Sequence, residues 1–254
     1  NHMHVDWTLK ALEAGKHVLT EKPIAMHAPE IDALIAARNR TGLVAAEAYM
    51  IVHHPQWQRA REWIAAGEIG TLRHVDAQFS FFLEDHENIR NRPETGGGSL
   101  RDIGVYTFGS ARFVTGAEPV DLSSRVIREK GVEIWAQVAA TMQGPAGRYT
   151  YNSMTTMRAY NRQVVTFQGT TGMIWLEGGP FNAGVNDMAE IELHKGGNRT
   201  LIERFPALNQ YQLQVEAFGR SVREGAPFAW TLENAKGTQA MIDWAYREAV
   251  DVTI

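Results

Sequence analysis

The chain has 254 residues, 44% of them apolar and 21% charged, the balance of a soluble globular protein rather than a disordered one. Its 25 basic and 29 acidic side chains leave a net charge of -4, so no cationic field awaits a phosphate backbone and nucleic acid is not an expected partner. No apolar run exceeds five residues, the length of Ala48 to Val52, far short of the ~20 that cross a bilayer, so no membrane is expected; the absence of cysteine removes disulfides and thiolate chemistry and fits a reducing cytoplasm.

The first third alternates helix and strand. Val5, Leu9 and Leu12 recur at helical spacing before Gly15, and 17–22 reads as a short strand. Pro29 suits a first helical turn, Ile31, Leu34 and Ile35 share a face, and Gly42 ends the helix before a second strand over 43–49. A strand, helix and strand within this span form a βαβ crossover, which makes the two strands parallel. A further helix is expected over 55–66, closed by Gly67.

Beyond it the period changes to two. Val75, Ala77, Phe79 and Phe81 alternate with His74, Asp76, Gln78 and Ser80, the pattern of a half-exposed antiparallel strand. Further strands are expected over 120–129, 133–142, 148–158, 163–176, 189–195 and 200–205, with a helix after Gly98 and two more over 211–224 and 232–250. The fold class is therefore α/β plus α+β: part of a Rossmann-like parallel sheet over 1–52, then a large, mostly antiparallel sheet with helices over 53–254, whose last helix can pack back on the first unit. Trp57, Trp63, Trp135, Trp175, Trp230 and Trp244 lie in periodic segments and read as core or interface residues.

Two segments carry chemistry. Ligands of open parallel sheets bind at the carboxyl ends of the strands, where Thr20-Glu21-Lys22-Pro23 places a lysine able to donate a proton or polarise a carbonyl. In the second, Gly96-Gly97-Gly98-Ser99-Leu100-Arg101-Asp102-Ile103-Gly104-Val105-Tyr106, the glycines permit close approach of a ligand or another chain segment. Ser99 can cap the helix, and Asp102 and Tyr106 stand four apart on one face as a proton-handling pair. No strand-GxGxxG-helix unit occurs, and the histidines, among them His2, His4, His53, His54 and His74, lack metal-ligand spacing, so no metal is expected. His53, His54 and Pro55 read as a turn into the next helix.

Together the Gly15-Lys16-His17-Val18-Leu19-Thr20-Glu21-Lys22-Pro23 and Gly96 to Tyr106 segments resemble the Gfo/Idh/MocA family, with Gly169-Thr170-Thr171-Gly172 and Asn209-Gln210-Tyr211 as further landmarks. The resemblance implies an NAD(P)-dependent dehydrogenase of a sugar, polyol or cyclic diol, with a Rossmann domain and a sheet domain through which a homodimer or higher homo-oligomer forms. Tyr106 is similar to the branch holding glucose-fructose oxidoreductase, dimeric dihydrodiol dehydrogenase and xylose dehydrogenase; many members have histidine there. It implies catalytic roles for Lys22, Tyr106 and Asp102, with Lys22 lowering the pKa of the phenol and the proton-transfer role open between the two. It also implies cofactor contacts at Asn1, His2, Glu21, Lys22, Pro23 and Glu47, and substrate contacts at Asp102 and Tyr106. Arg158 and the Pro180-Phe181-Asn182 loop are further candidates for lining the substrate site.

Ile51 and Val52 stand where many relatives carry an aromatic-arginine pair. The family's first strands, its phosphate-binding glycine loop and the residue choosing NAD over NADP are expected to precede Asn1. A non-catalytic sugar-binding or regulatory member is the alternative reading. A sugar isomerase or hydrolase is weaker, because no paired carboxylates or metal cluster supports it.

Overall fold

Two short strands form the parallel layer in the computed structural model, which describes residues 1–145, 147–182 and 188–253. Helix α1 (His4–Glu13) leads into β1 (Val18–Glu21), and α2 (Ala28–Thr41) carries the chain back to β2 (Ala45–Ala48). The strands pair in parallel from Val18↔Ala45 to Glu21↔Ala48. Helix α2 begins where Glu30 accepts the Met26 and His27 amides, both at 2.8 Å, and it buries Ile31, Leu34 and Ala37. It stops at Gly42, whose φ of +67° closes the last turn. A 3-10 turn (Met50–His53) then enters α3 (Pro55–Ala65), with the His54 ring accepting the Gln56 amide.

The second layer is a nine-stranded sheet in the order β10-β9-β8-β7-β3-β6-β5-β4-β11. Its members are β3 (Leu72–Phe82), β4 (Glu118–Glu129), β5 (Val132–Gly144), β6 (Gly147–Thr156), β7 (Arg158–Gly169), β8 (Gly172–Leu176), β9 (Ala189–Lys195), β10 (Arg199–Phe205) and β11 (Ala249–Asp251). Helix α4 (Val105–Thr115) precedes β4; α5 (Gln210–Glu224) and α6 (Leu232–Arg247) follow β10.

Three details differ from the sequence pattern. Strand β3 is central, antiparallel to β7 but parallel to β6, because the β4-β5-β6 meander returns on its other side. The apolar stretch 163–176 is two strands, since Thr170 and Thr171 turn the chain back with their amides on the Thr71 and Ile69 carbonyls. Helix α6 ends at Arg247, and Ala249–Asp251 pairs in parallel with β4 at the sheet edge.

Helices α3, α4 and α6 cover one face of the sheet, where Val75, Ala77, Phe79 and Phe167 join a continuous core with Trp57, Phe108 and Trp230. The opposite face is half-exposed: Asp76 accepts from Asn152 at 2.9 Å and from Gln78 at 3.1 Å, and Trp135, Met154 and Trp175 lie partly open. Helix α6 also lies against α2, through Asp243 on the Ala28 amide at 2.7 Å and Gln239 on the Met26 carbonyl at 3.0 Å. That contact joins the two layers beside the carboxyl end of β1. No helix among the described residues is long and apolar enough to cross a membrane.

Candidate active site

Lys22, the first residue after β1, reaches across to the segment that precedes α4. Its Nζ donates to the Asp102 backbone carbonyl at 2.6 Å and to Asp102 Oδ1 at 3.1 Å, and lies 4.7 Å from the centroid of the Tyr106 ring. An ammonium has three donors and the described residues engage two of them, which leaves one for a ligand. Asp102 Oδ2 accepts from Arg90 Nε at 2.7 Å. Burial works to push the Asp102 carboxyl up, but the charges and hydrogen bonds of Lys22 and Arg90 outweigh it and hold the group below the ordinary aspartate value.

The glycine run explains how these groups meet. A side chain at Gly97 would collide with the Arg90 backbone, and the amides of Gly97 and Gly98 bond to the carbonyls of Arg92 and Arg90, each at 3.0 Å. The close approach therefore serves another chain segment, the one that delivers Arg90. Ser99 is not a helix cap: its hydroxyl bonds to Thr155 at 2.9 Å, and Leu100–Gly104 forms a π-turn before α4. The Tyr49 hydroxyl fills the junction by donating to the Val105 and Tyr106 carbonyls, both at 3.1 Å.

Tyr106 packs among the rings of Tyr49, Phe79 and Phe181, with centroids 5.7 to 5.8 Å away. Its hydroxyl donates to Met50 Sδ at 3.7 Å. Its pKa is raised well above the ordinary tyrosine value by burial, with Tyr211, Asp102, Glu21 and Glu47 pushing the same way. This reverses the expectation of a phenol made more acidic by Lys22: desolvation and nearby acidic groups dominate. Tyr106 is accordingly a protonated donor at neutral pH.

Two adjoining cavities share Glu21, Lys22, Arg90 and Asp102. The larger, about 580 Å3, sets the rings of Phe79, Phe81, Tyr106 and Tyr211 against the amides of Asn88, Asn161, Gln163 and Asn182. The smaller, about 200 Å3, is closed by Asn1, His4, Ile89, Gly97 and Gly98 at the carboxyl end of β1. Asn1 donates to the Gly96 carbonyl at 2.8 Å, and His4 Nδ1 to that of Pro23 at 2.8 Å. Of the Pro180-Phe181-Asn182 loop, Asn182 reaches the larger cavity, while Phe181 stacks on Phe79 at 5.2 Å.

Several expected contacts lie elsewhere. His2 is exposed and Pro23 is buried, and neither lines either of these two cavities. Arg158 pairs with Glu129 at 2.8 Å and bonds to the Leu83 carbonyl and to Asn91 Oδ1, so it braces the 83–91 loop and lines neither of these two cavities. Glu47 is sealed inside at 2% exposure: Oε1 accepts the Ile24 amide at 2.9 Å and Oε2 accepts Trp230 Nε1 at 2.8 Å. Burial raises its pKa, and its place is that of an internal anchor rather than a cofactor ligand.

Glu47→Leu is expected to lower stability by about 2–4 kcal/mol in urea unfolding, because it orphans two buried donors. Native stability with loss of nucleotide binding would return Glu47 to a cofactor role.

Arg90, Asn88, Asn161 and Gln163 were not signalled by the sequence. Arg90 sits in an aperiodic polar stretch, and only its backbone contact with the glycine run brings it to Asp102. His53 and His54 do form the turn into α3; burial lowers both to a pKa of about 4, so they are neutral there.

Comparison with known proteins identifies the family. Residues 1–49 match the oxidoreductase family with an NAD-binding Rossmann fold, and residues 57–175 match the GFO/IDH/MocA C-terminal domain. An uncharacterized oxidoreductase, ORF334 of Rhizobium meliloti, is 36% identical over 253 residues, covering 98% of this chain and 75% of its own. D-xylose 1-dehydrogenase (NADP(+)) 2 of Haloferax volcanii is 31% identical over 252 residues, covering 98% and 75%. The crystal structure of a 3-ketoreductase from Actinomadura kijaniata in complex with NADP and TDP-benzene superposes with a TM-score of 0.85 at 26% identity, over 99% of this chain and 77% of that one.

Proposed function

The chain belongs to the Gfo/Idh/MocA oxidoreductase family, and on that premise we propose that it takes part in NAD(P)-dependent hydride transfer to or from a sugar, polyol or cyclic diol at the Lys22–Asp102–Tyr106 cleft. The observation that carries this reading is the Lys22 ammonium held between two cavities, beside a phenol and with one donor left over.

The smaller cavity suits the nicotinamide end of the cofactor. It opens at the carboxyl end of a parallel strand pair, and its wall combines the Gly97–Gly98 backbone with the side chains of Asn1, His4 and Glu21. When bound, a nicotinamide supplies or takes up the hydride. The remaining chemistry falls to the chain. Lys22 holds the substrate oxygen and stabilises the negative charge that develops there, and Asp102 keeps the ammonium in place. Tyr106, protonated at neutral pH, passes its hydroxyl proton to that oxygen during reduction and recovers it during oxidation.

The larger cavity supports the substrate class. Phenyl faces opposite several side-chain amides suit a ring that is apolar on its C–H face and carries hydroxyls at its edge. Its charges balance, Lys22 and Arg90 against Glu21 and Asp102, which favours a neutral ligand. Residues 1–52 would serve the cofactor side and 53–254 the substrate side and self-association. The half-exposed sheet face bearing Trp135, Met154 and Trp175 is the surface for a homodimer, in a cytoplasmic setting consistent with the lack of cysteine.

The test presents the protein with NAD or NADP, each with aldoses, polyols and cyclic diols, while following the reduced nicotinamide absorbance. Cofactor-dependent turnover of a member of this set is expected. Sugar binding in calorimetry without turnover on any cofactor would instead establish the non-catalytic binder.

A further inference from the structure

Glu133 of β5 is among the most enclosed charged groups in the molecule, at 1% exposure, yet it lines neither cavity. Its Oε1 accepts the backbone amide of Leu100 at 2.5 Å, and its Oε2 accepts the Tyr246 hydroxyl of α6 at 2.9 Å. Gly98 lies against the same carboxylate with φ +126°, and any Cβ there would collide with it. Gly98 in turn accepts the Asp102 amide at 3.0 Å, so the Glu133 carboxylate touches the segment from Gly98 to Leu100 whose π-turn ends in Asp102.

We propose that Glu133 is a positioning residue for the cleft: it ties the start of the π-turn to β5 and α6 and thereby sets Asp102, and through it Lys22, in place. The path is continuous. Tyr246 holds Glu133, Glu133 holds Leu100, the turn carries Asp102, and Asp102 holds the Lys22 ammonium through both its carbonyl and its carboxylate. A π-turn is a single-turn departure from the regular α-helical ladder, found frequently at functional sites, and here Glu133 ties its start from outside the turn. The Gly98 position serves the same end, because only a residue without Cβ admits the carboxylate to the backbone.

The groups facing the Glu133 carboxyl are Tyr246 of α6, Arg101 of the π-turn and Arg128 of β4. Burial outweighs them and raises the group to a pKa of about 7. A neutral amide that keeps the Leu100 bond is therefore a fair replacement, and its NH2 can donate to the Tyr246 oxygen.

The inference rests on the proposed catalytic role of Lys22, and its test has a readout independent of turnover. In Glu133→Leu, amide hydrogen exchange across 98–102 is expected to accelerate selectively, and kcat to fall by ~10²-fold with a smaller change in KM, the effect of a reacting group displaced by about 1 Å. Glu133→Gln is expected to restore both. If Glu133→Leu does not fold, Tyr246→Phe, which removes only the donor to Oε2, is expected to loosen the same segment and lower kcat to a lesser degree. A folded Glu133→Leu protein with unchanged kcat, or with a lowered melting temperature alone, overturns the proposal, as does failure of Glu133→Gln to rescue. Should the natural protein turn over no sugar while exchange at 98–102 still follows Glu133, the hydride-transfer reading fails and the positioning role stands.

Discussion

Lys22→Met is expected to lower kcat/KM by ~10²–10³-fold, the scale on which a charge-stabilising donor acts in a shielded site. The substitution keeps most of the side-chain volume and removes the ammonium that bridges the Asp102 carbonyl and carboxylate. Folding is expected to survive, because Arg90 still pairs with Asp102 at 2.7 Å from a partly exposed position. A second consequence follows from the same pairing. The Asp102 carboxyl is held below its ordinary value, so its contribution to stability is present above the unfolded pKa and fades as pH falls through the folded one. Losing Lys22 raises the folded value, and the acid side of the stability curve is expected to move to higher pH. Steady-state kinetics and unfolding as a function of pH check the two effects. Undiminished turnover in a folded Lys22→Met protein would remove Lys22 from the reaction.

Tyr106→Phe is expected to lower kcat by ~10²–10⁴-fold, the range for a general acid–base group, with KM little changed. The structure makes this variant unusually clean. Among the described residues the hydroxyl has a single weak acceptor, Met50 Sδ at 3.7 Å, while the ring keeps its neighbours Tyr49, Phe79 and Phe181. Stability should therefore stay within about 1 kcal/mol of the parent. Thermal unfolding and single-turnover rates separate the two quantities. A rate equal to the parent's would transfer the proton to Lys22, and a large loss of stability would mean that the hydroxyl has a packing role the geometry does not indicate.

The catalytic candidates could be read in sequence because each sits at a landmark with a local cause: Lys22 at a strand end before proline, and Asp102 and Tyr106 four apart after a glycine run. Glu47 misled for the opposite reason. It also follows the carboxyl-end rule, but a tryptophan 183 residues away and the Ile24 amide claim both its oxygens. Arg158 was a plausible arginine near the site that proved to brace a loop, while Arg90, which reaches Asp102, lay in a stretch with no periodic signal. The glycine run was legible as a site of close approach, and its partner was not.

Composition and hydrophobic period alone settled the classes of structure present: a parallel βα layer, then a large sheet with helices. Those signals report burial one residue at a time, through spacings of two or about 3.6, and need no knowledge of distant partners. Strand neighbours, by contrast, are chosen by contacts remote in sequence, which is why β3 could become central and parallel to β6 while its own pattern read as an ordinary antiparallel strand. The same holds for the cleft. The chemistry proposed for it rests on Lys22, Asp102 and Tyr106, but its walls, its charge balance and the protonated state of the phenol arise from desolvation and packing among segments as remote in sequence as Glu21 and Tyr211, and only the tertiary structure decides those.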